Sequence, residues 1–328
     1  MAIILAWLVR VVLLLFFAAA VLATLLTIII DWMKTKLKLR QGVALALILL
    51  GISLFAFLII WTSGAAIIQQ FSDLQVDLPR AASQLIERLR GYSWGRWMLF
   101  QWSGYAQLSG NVSSALTRIG GIVLSTVSVL AGCIIIMVLG LYLAAEPEVY
   151  FAGIRRATPP HFRATLEACA TSAVHMLRWW LLAQILSMIA VGIIVALGLW
   201  ALGVPLAGTL GMIAALLTFI PNVGPVVSVV PPFLLAIAIS PTKGLLTVLL
   251  FVLVHFLEGN IITPLLQRKI IRLPPALTMV AQLLLAVIAG PLGLALAAPL
   301  TAATLGILHV LLPAEDRSSP IEVSPAKI

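Results

Sequence analysis

Residues 3–30 form an apolar run longer than the roughly 20 residues an α-helix needs to cross the hydrocarbon core of a bilayer. The run is too long for a signal-peptide core, and no polar mature domain follows it, so it reads as a membrane segment. Comparable runs occupy residues 42–69, 119–145 and 178–203. Hydrocarbon offers a backbone N–H or C=O no partner outside the protein, which leaves the helix as the conformation for such runs. Of the 328 residues, 62% are hydrophobic and 9% charged, with a mean hydropathy of +1.17. A soluble domain is about half apolar and one quarter charged. The expected fold is therefore all-α: a polytopic integral membrane protein of about 7 to 9 membrane segments, with interfacial amphipathic helices beside them.

Beyond residue 203 the pattern changes. Shorter apolar pieces, at about 207–220, 224–240, 244–265, 276–290 and 292–312, are separated by Pro, Gly and Asn, so the C-terminal half is expected to hold broken or re-entrant helices. A single membrane-embedded domain over residues 1–312 is the parsimonious organisation, with 313–328 a cytoplasmic tail. Lys34, Lys36, Lys38 and Arg40 mark the loop after the first run as cytoplasmic. Alternation then places Arg155, Arg156 and Arg163 on that side, together with Arg268, Lys269 and Arg272. The three basic clusters agree on one topology, whether residues 207–240 and 276–312 form hairpins or pairs of crossings. The net charge of +9 is explained in the same way, by cations at the ends of apolar runs, and no nucleic-acid partner is expected.

Residues 70–118 fall outside the cytoplasm in this topology. There Leu78, Ala82, Leu85 and Leu89 share a helical face, followed by Tyr92, Trp94, Trp97, Trp102 and Tyr105. Such a segment either lies in the outer interface or covers the bundle. On the inner side, within residues 146–177, Phe162, Leu166, Ala170, Ala173 and Leu177 space like one face of a helix leading to Trp179 and Trp180. His161 and His175 flank it as ordinary surface groups. Cys133 and Cys169 have neither metal-ligand nor redox spacing, and no metal or cofactor is expected.

Two stretches carry the candidate site. In TFIPNVGPVVSVVPP (residues 218–232), Pro221, Pro225, Pro231 and Pro232 remove backbone donors and Gly224 permits a turn. Either the freed groups face a protein-lined cavity, with Asn222 beside them, or the stretch is a tight turn at the cytoplasmic surface. In HFLEGNIITP (residues 255–264), Glu258 interrupts an apolar run, and an acid at membrane depth turns toward the bundle interior. Asn260 adds a donor and an acceptor, while Gly259 and Pro264 loosen the helix. The carboxylate is either a substrate, ion or proton site or an acid paired to Arg268 or Lys269 that locks the bundle. His255 lies one turn before Glu258 on the same face, as a structural histidine or a proton relay. Gln282 is the other polar side chain in a C-terminal run, placed to hydrogen-bond across helices. The small residues of 208–215 and 289–303 suit close helix packing.

With these stretches in hand, the chain resembles the autoinducer-2 exporter (AI-2E) family of bacterial permeases. The resemblance rests on FIPNVGP (219–225), EGNIITPLL (258–266), Pro274 with Pro275, GPLGLALAAPLTA (290–302), and DWMKTKLKL after an early apolar run. It implies a polytopic, homo-oligomeric protein of the bacterial inner membrane that exports autoinducer-2 or exchanges sodium or lithium for protons. Pro221, Gly224, Pro225, Glu258, Gly259, Asn260 and Pro264 match the family pattern. Asn222 stands where an aromatic is common, and the N-terminal part is one short segment shorter than usual.

The function expected is that of a secondary transporter and not an enzyme. A membrane-embedded lipid enzyme usually needs paired acids with a metal, or a nucleophile beside a base, and the sequence has no DxxxD-type pair, His cluster or Gly-rich phosphate loop. A passive channel and a non-transporting membrane scaffold are the alternatives. No ATP-binding motif is present, so any pumping draws on a gradient or a separate subunit.

Overall fold

A computed structural model describes residues 2–91, 126–262 and 275–312. The described residues are helical throughout their regular structure: α1 (Ala2–Leu37), α2 (Gln41–Arg90), α3 (Thr126–Ala145), α4 (Pro147–Ala157), a 3₁₀ turn (Pro160–Phe162), α5 (Arg163–Ala201), α6 (Ala207–Thr218), α7 (Val223–Ser228), α8 (Val230–Ile239), α9 (Pro241–Leu257), a π-helical turn (Glu258–Ile262) and α10 (Pro275–Leu311). Among the described residues four helices are long and apolar enough to cross a membrane: Arg10–Leu37, Pro160–Ala201, Pro241–Ile261 and Ala276–Leu311. A bent pair, α3 with α4, adds a fifth if counted as one span, and Gln41–Gly51, Ala207–Thr218 and Val223–Ile239 are shorter apolar helices. The protein is an all-α polytopic membrane protein.

Two boundaries differ from the sequence expectation. The inner face from Phe162 to Leu177 is not a separate helix before a span. From Arg163 onward it is the first part of α5, which runs unbroken to Ala201 because no Pro interrupts it and the only Gly residues, at 192 and 198, sit where neighbours approach closely. Likewise α2 continues from its apolar run through residues 70–90. There Leu74 and Ala81 are buried and Leu78 packs against them, so that face covers a protein core. The side chains of Ala82, Leu85 and Leu89 are not among those described, and the aromatic stretch 92–105 lies outside the described residues.

The chain divides into two compact units: residues 1–32, 138–181 and 269–328 in one, and 33–137 and 182–268 in the other. In the first, helices meet through small residues. A Cβ at Gly306 of α10 would come within 2.8 Å of the α5 backbone at Ala173, and Ser172 Oγ donates to the Gly306 carbonyl at 2.7 Å. Without a hydrophobic drive between helices in lipid, such approach and cross-helix bonding hold them together. An Arg178–Asp31 ion pair joins α5 to α1. The expected break within 289–303 is a kink in α10 at Ala289–Gly290, where Gly290 has φ 62° and ψ −145°. That region is open essentially to glycine alone.

The second unit has a core of Val191, Val195 and Leu199 from α5, Leu210 and Ala214 from α6, Leu235 and Ala236 from α8, and Phe251 and Val254 from α9. The proline–glycine stretch folds the chain back on itself: α6 ends at Thr218, α7 starts at Val223 after Asn222 at φ 66°, and α8 follows with Pro231 and Pro232 in its first turn. Pro is tolerated there because first-turn amides have no helical partner. The return is tight at Gly224, where a Cβ would lie 1.9 Å from the Leu217 carbonyl oxygen. Ser240 then caps α9 by accepting from the Lys243 amide at 3.2 Å, with Pro241 at the first helical position.

Candidate functional site

In the second unit α5 and α9 each bring one polar side chain to Glu258. Helix α9 keeps Leu245, Leu249, Val252, Leu253 and Phe256 on an exposed apolar side and turns Thr247, Phe251 and Val254 into the core. Glu258 comes one turn after Val254 and follows the inner side. Its side chain is 16% exposed and that of His255 17%, so an acid in an apolar run does face inward.

At Glu258 the helix widens into the π-helical turn, a form seen mostly as single turns and frequently at functional sites. Both carboxyl oxygens are held. Oε2 lies 2.8 Å from His255 Nδ1, and Oε1 accepts from the Ser187 hydroxyl of α5 at 2.6 Å. With Nδ1 engaged, His255 has one ring atom left, Nε2, which is buried and has no hydrogen-bond partner among the described residues. Thr247 Oγ1, two turns earlier on α9, is in the same condition. Buried polar atoms normally find partners, which sets these two apart from the other polar side chains of α9.

One turn before Ser187, Gln184 donates to the Thr218 carbonyl at 2.6 Å. Thr218 closes α6, and the last carbonyls of a helix have no intrahelical donor. Gln184 therefore caps the end of α6 at the point where FIPNVGP begins. Since Gln184 and Ser187 are three residues apart on α5, a single helical turn binds both the carboxyl group and the broken helix.

The other expected site residues are placed as follows. Asn260 is exposed, and its side-chain amide donates to the Phe256 carbonyl at 2.9 Å; the structure does not bring it to the carboxyl group. Gly259 is exposed beside it. Gly224 is buried in the return between α6 and α7, Pro221 and Pro225 are half-buried, and Asn222 is exposed. The Pro225 carbonyl accepts from Ser228 Oγ at 3.0 Å. Gln282 is buried in α10, in the first unit. Pro264, Arg268, Lys269 and Arg272 lie outside the described residues. Among the described residues no group of three or more His, Cys, Asp or Glu side chains is placed to hold a metal ion.

Gln184, Ser187, Thr218 and Thr247 were not singled out from the sequence. The available signal was the Gln-x-x-Ser spacing inside the apolar run of α5, where two polar side chains one turn apart share a face.

Residues 1–312 match the family model described as AI-2E family transporter. The chain belongs to the AI-2E transporter family. Three relatives carry names that assign them provisionally to transport. YrrI of Bacillus subtilis (strain 168) is 29% identical over 161 residues, covering 49% of this chain and 46% of YrrI. YhhT of Escherichia coli (strain K12) is 28% identical over 157 residues, 48% of this chain and 40% of YhhT. YueF of Bacillus subtilis (strain 168) is 25% identical over 280 residues, 81% of this chain and 75% of YueF. The chain thus spans less than half the length of the first two relatives it matches.

Proposed function

We propose that this AI-2E family member is a secondary transporter of the bacterial inner membrane, homo-oligomeric within the lipid bilayer. It exports a small polar solute such as autoinducer-2, or exchanges monovalent cations for protons, and performs no chemical conversion. The observation that carries the reading is the held carboxyl group of Glu258, bonded from α5 and α9 in an apolar protein, with the buried Nε2 of His255 beside it. Ionisable groups are expensive at membrane depth and are found where ions, protons or solutes pass.

In this reading Glu258 and His255 bond the transported species or its coupling proton. Ser187 exchanges its hydroxyl bond with that species. Pro221, Asn222, Gly224 and Pro225 form the broken-helix element whose end is tied to the site by Gln184, and discontinuous helices are a recurring frame for midplane sites. Gly259 and Asn260 belong to the π-helical segment that carries the carboxyl group.

The test is flux into vesicles containing the purified chain, with autoinducer-2, sodium and lithium each offered against a proton gradient. Glu258→Gln keeps the shape of the side chain and loses its charge, and flux is expected to fall by about tenfold or more, the equivalent of one lost interaction near 1.4 kcal/mol. Equal flux in both proteins removes Glu258 from the mechanism. Flux that neither saturates nor responds to a second gradient makes the protein a passive channel.

A further inference from the structure

Helix α4 owes its direction to one residue. Proline disfavours the helical conformation in the residue before it, and Glu146, preceding Pro147, has φ −134° and ψ 60°. Helix α3 therefore stops at Ala145 and α4 starts afresh, turned by 84°. The composition of α3 makes that angle informative: no residue from Thr126 to Ala145 is charged, as a segment in the hydrocarbon core requires. Its mid-section exposes Ile134, Ile135, Met137 and Val138, as a lipid-facing helix does. A helix that leaves the end of such a span at nearly a right angle runs along the membrane plane at the headgroup level.

The residues of α4 are sorted to suit that position. At 100° per residue, Tyr150, Phe151, Ile154 and Ala157 fall on one side, and Glu148, Arg155 and Arg156 on the other. None of its residues is buried, with Phe151 46% and Ile154 53% exposed. The contacts are equally one-sided. Arg155 pairs with Glu167 of α5 at 3.1 Å. Just past the helix end Arg163 Nε donates to the Thr158 carbonyl at 3.1 Å, while Thr158 Oγ1 donates back to the Ile154 carbonyl at 2.8 Å. The polar side and C-terminal end are thus tied to the start of α5, and the apolar side is left to the surroundings.

We propose that α4 is an in-plane membrane anchor. Tyr150, Phe151 and Ile154 insert at the boundary of headgroups and acyl chains, and Arg156, which has no side-chain partner among the described residues, reaches lipid phosphate. Helix α4 follows directly on α3, whose exposed side chains include Val138 and Tyr142 near that end, and an apolar helix already exposed beside it selects bilayer over a protein partner. This role is independent of the Glu258 site.

The test uses the full chain in phosphatidylcholine–phosphatidylglycerol vesicles, with Cys133→Ala and Cys169→Ser as background. Single Phe151→Cys, Ile154→Cys, Glu148→Cys and Arg156→Cys variants are spin-labelled at these exposed positions, and each is matched to the parent by circular dichroism. Collision with oxygen, which partitions into lipid, is compared with collision with a water-soluble nickel chelate. Labels at 151 and 154 are expected to favour oxygen several-fold, and those at 148 and 156 to favour nickel. The same ratio at all four positions overturns the proposal by placing α4 free in water. Labels at 151 and 154 shielded from both reagents overturn it by placing that side against protein.

Discussion

The tightest approach in the second unit makes the broken helix testable. Gly224 sits where the chain returns past the end of α6, and a methyl group there would lie 1.9 Å from the Leu217 carbonyl oxygen, 2.6 Å from its carbonyl carbon and 3.2 Å from the Thr218 nitrogen. All three are backbone atoms, so no rotamer change relieves the clash. Restoring ordinary contact requires α6 and α7 to separate by more than an ångström. That movement strains the Gly224 amide bond to the Ile220 carbonyl (2.9 Å) and the Gln184 cap on Thr218. Overpacking a site with backbone on the far side belongs at the upper end of the usual range, about 3 kcal/mol for Gly224→Ala.

Gly259→Ala is the matched control, because nothing lies within 4 Å of its added methyl. Its effect is expected within about 0.5 kcal/mol of zero. Thermal unfolding of both purified variants in one detergent, followed by tryptophan fluorescence, reads the difference. Gly224→Ala should melt several degrees below the parent and Gly259→Ala within about one degree of it. If both variants melt together with the parent, the helices do not return as closely as described, and the tie between break and carboxyl group fails with it.

Ser187→Ala removes the hydroxyl bonded to Glu258 and is expected to cost about 1 to 3 kcal/mol; a double-mutant cycle with Glu258→Gln should show non-additive unfolding free energies, whereas additive values deny the bond. Gln184→Leu orphans the Thr218 carbonyl at a similar cost of about 1 to 3 kcal/mol, and amide hydrogen exchange should accelerate across residues 219–224 while the core of α9 stays protected. Gly290→Ala meets no neighbour within 4 Å, so its cost is conformational, about 1 to 3 kcal/mol for a left-handed kink residue. A melting temperature equal to that of Gly208→Ala, which also meets nothing but lies in a regular helix, would mean that the kink is absent.

Apolar run length made the membrane class and the all-helical fold legible, since an uninterrupted apolar run of about 20 residues satisfies its backbone in hydrocarbon as a helix. Proline and glycine made the breaks at 218–232 and 289–303 legible, because both residues act locally on φ and on donor supply. What stayed out of reach were the long-range pairings. Residues 162–177 look like an interfacial helix because their spacing is amphipathic, yet amphipathic spacing serves equally well for packing against α10, as Ser172 does at Gly306. Glu258 announced itself by its charge. Its partner Ser187 lies 71 positions away, and a serine in an apolar run carries no mark of which carboxyl group it will meet. The same holds for Gln184, whose role is set by an unpaired carbonyl at the end of α6 and becomes visible only once that helix is known to stop. The local devices that end helices were thus readable one residue at a time. The site itself depends on which helix ends are brought beside which polar side chains, and α5 carries that information in two residues one turn apart.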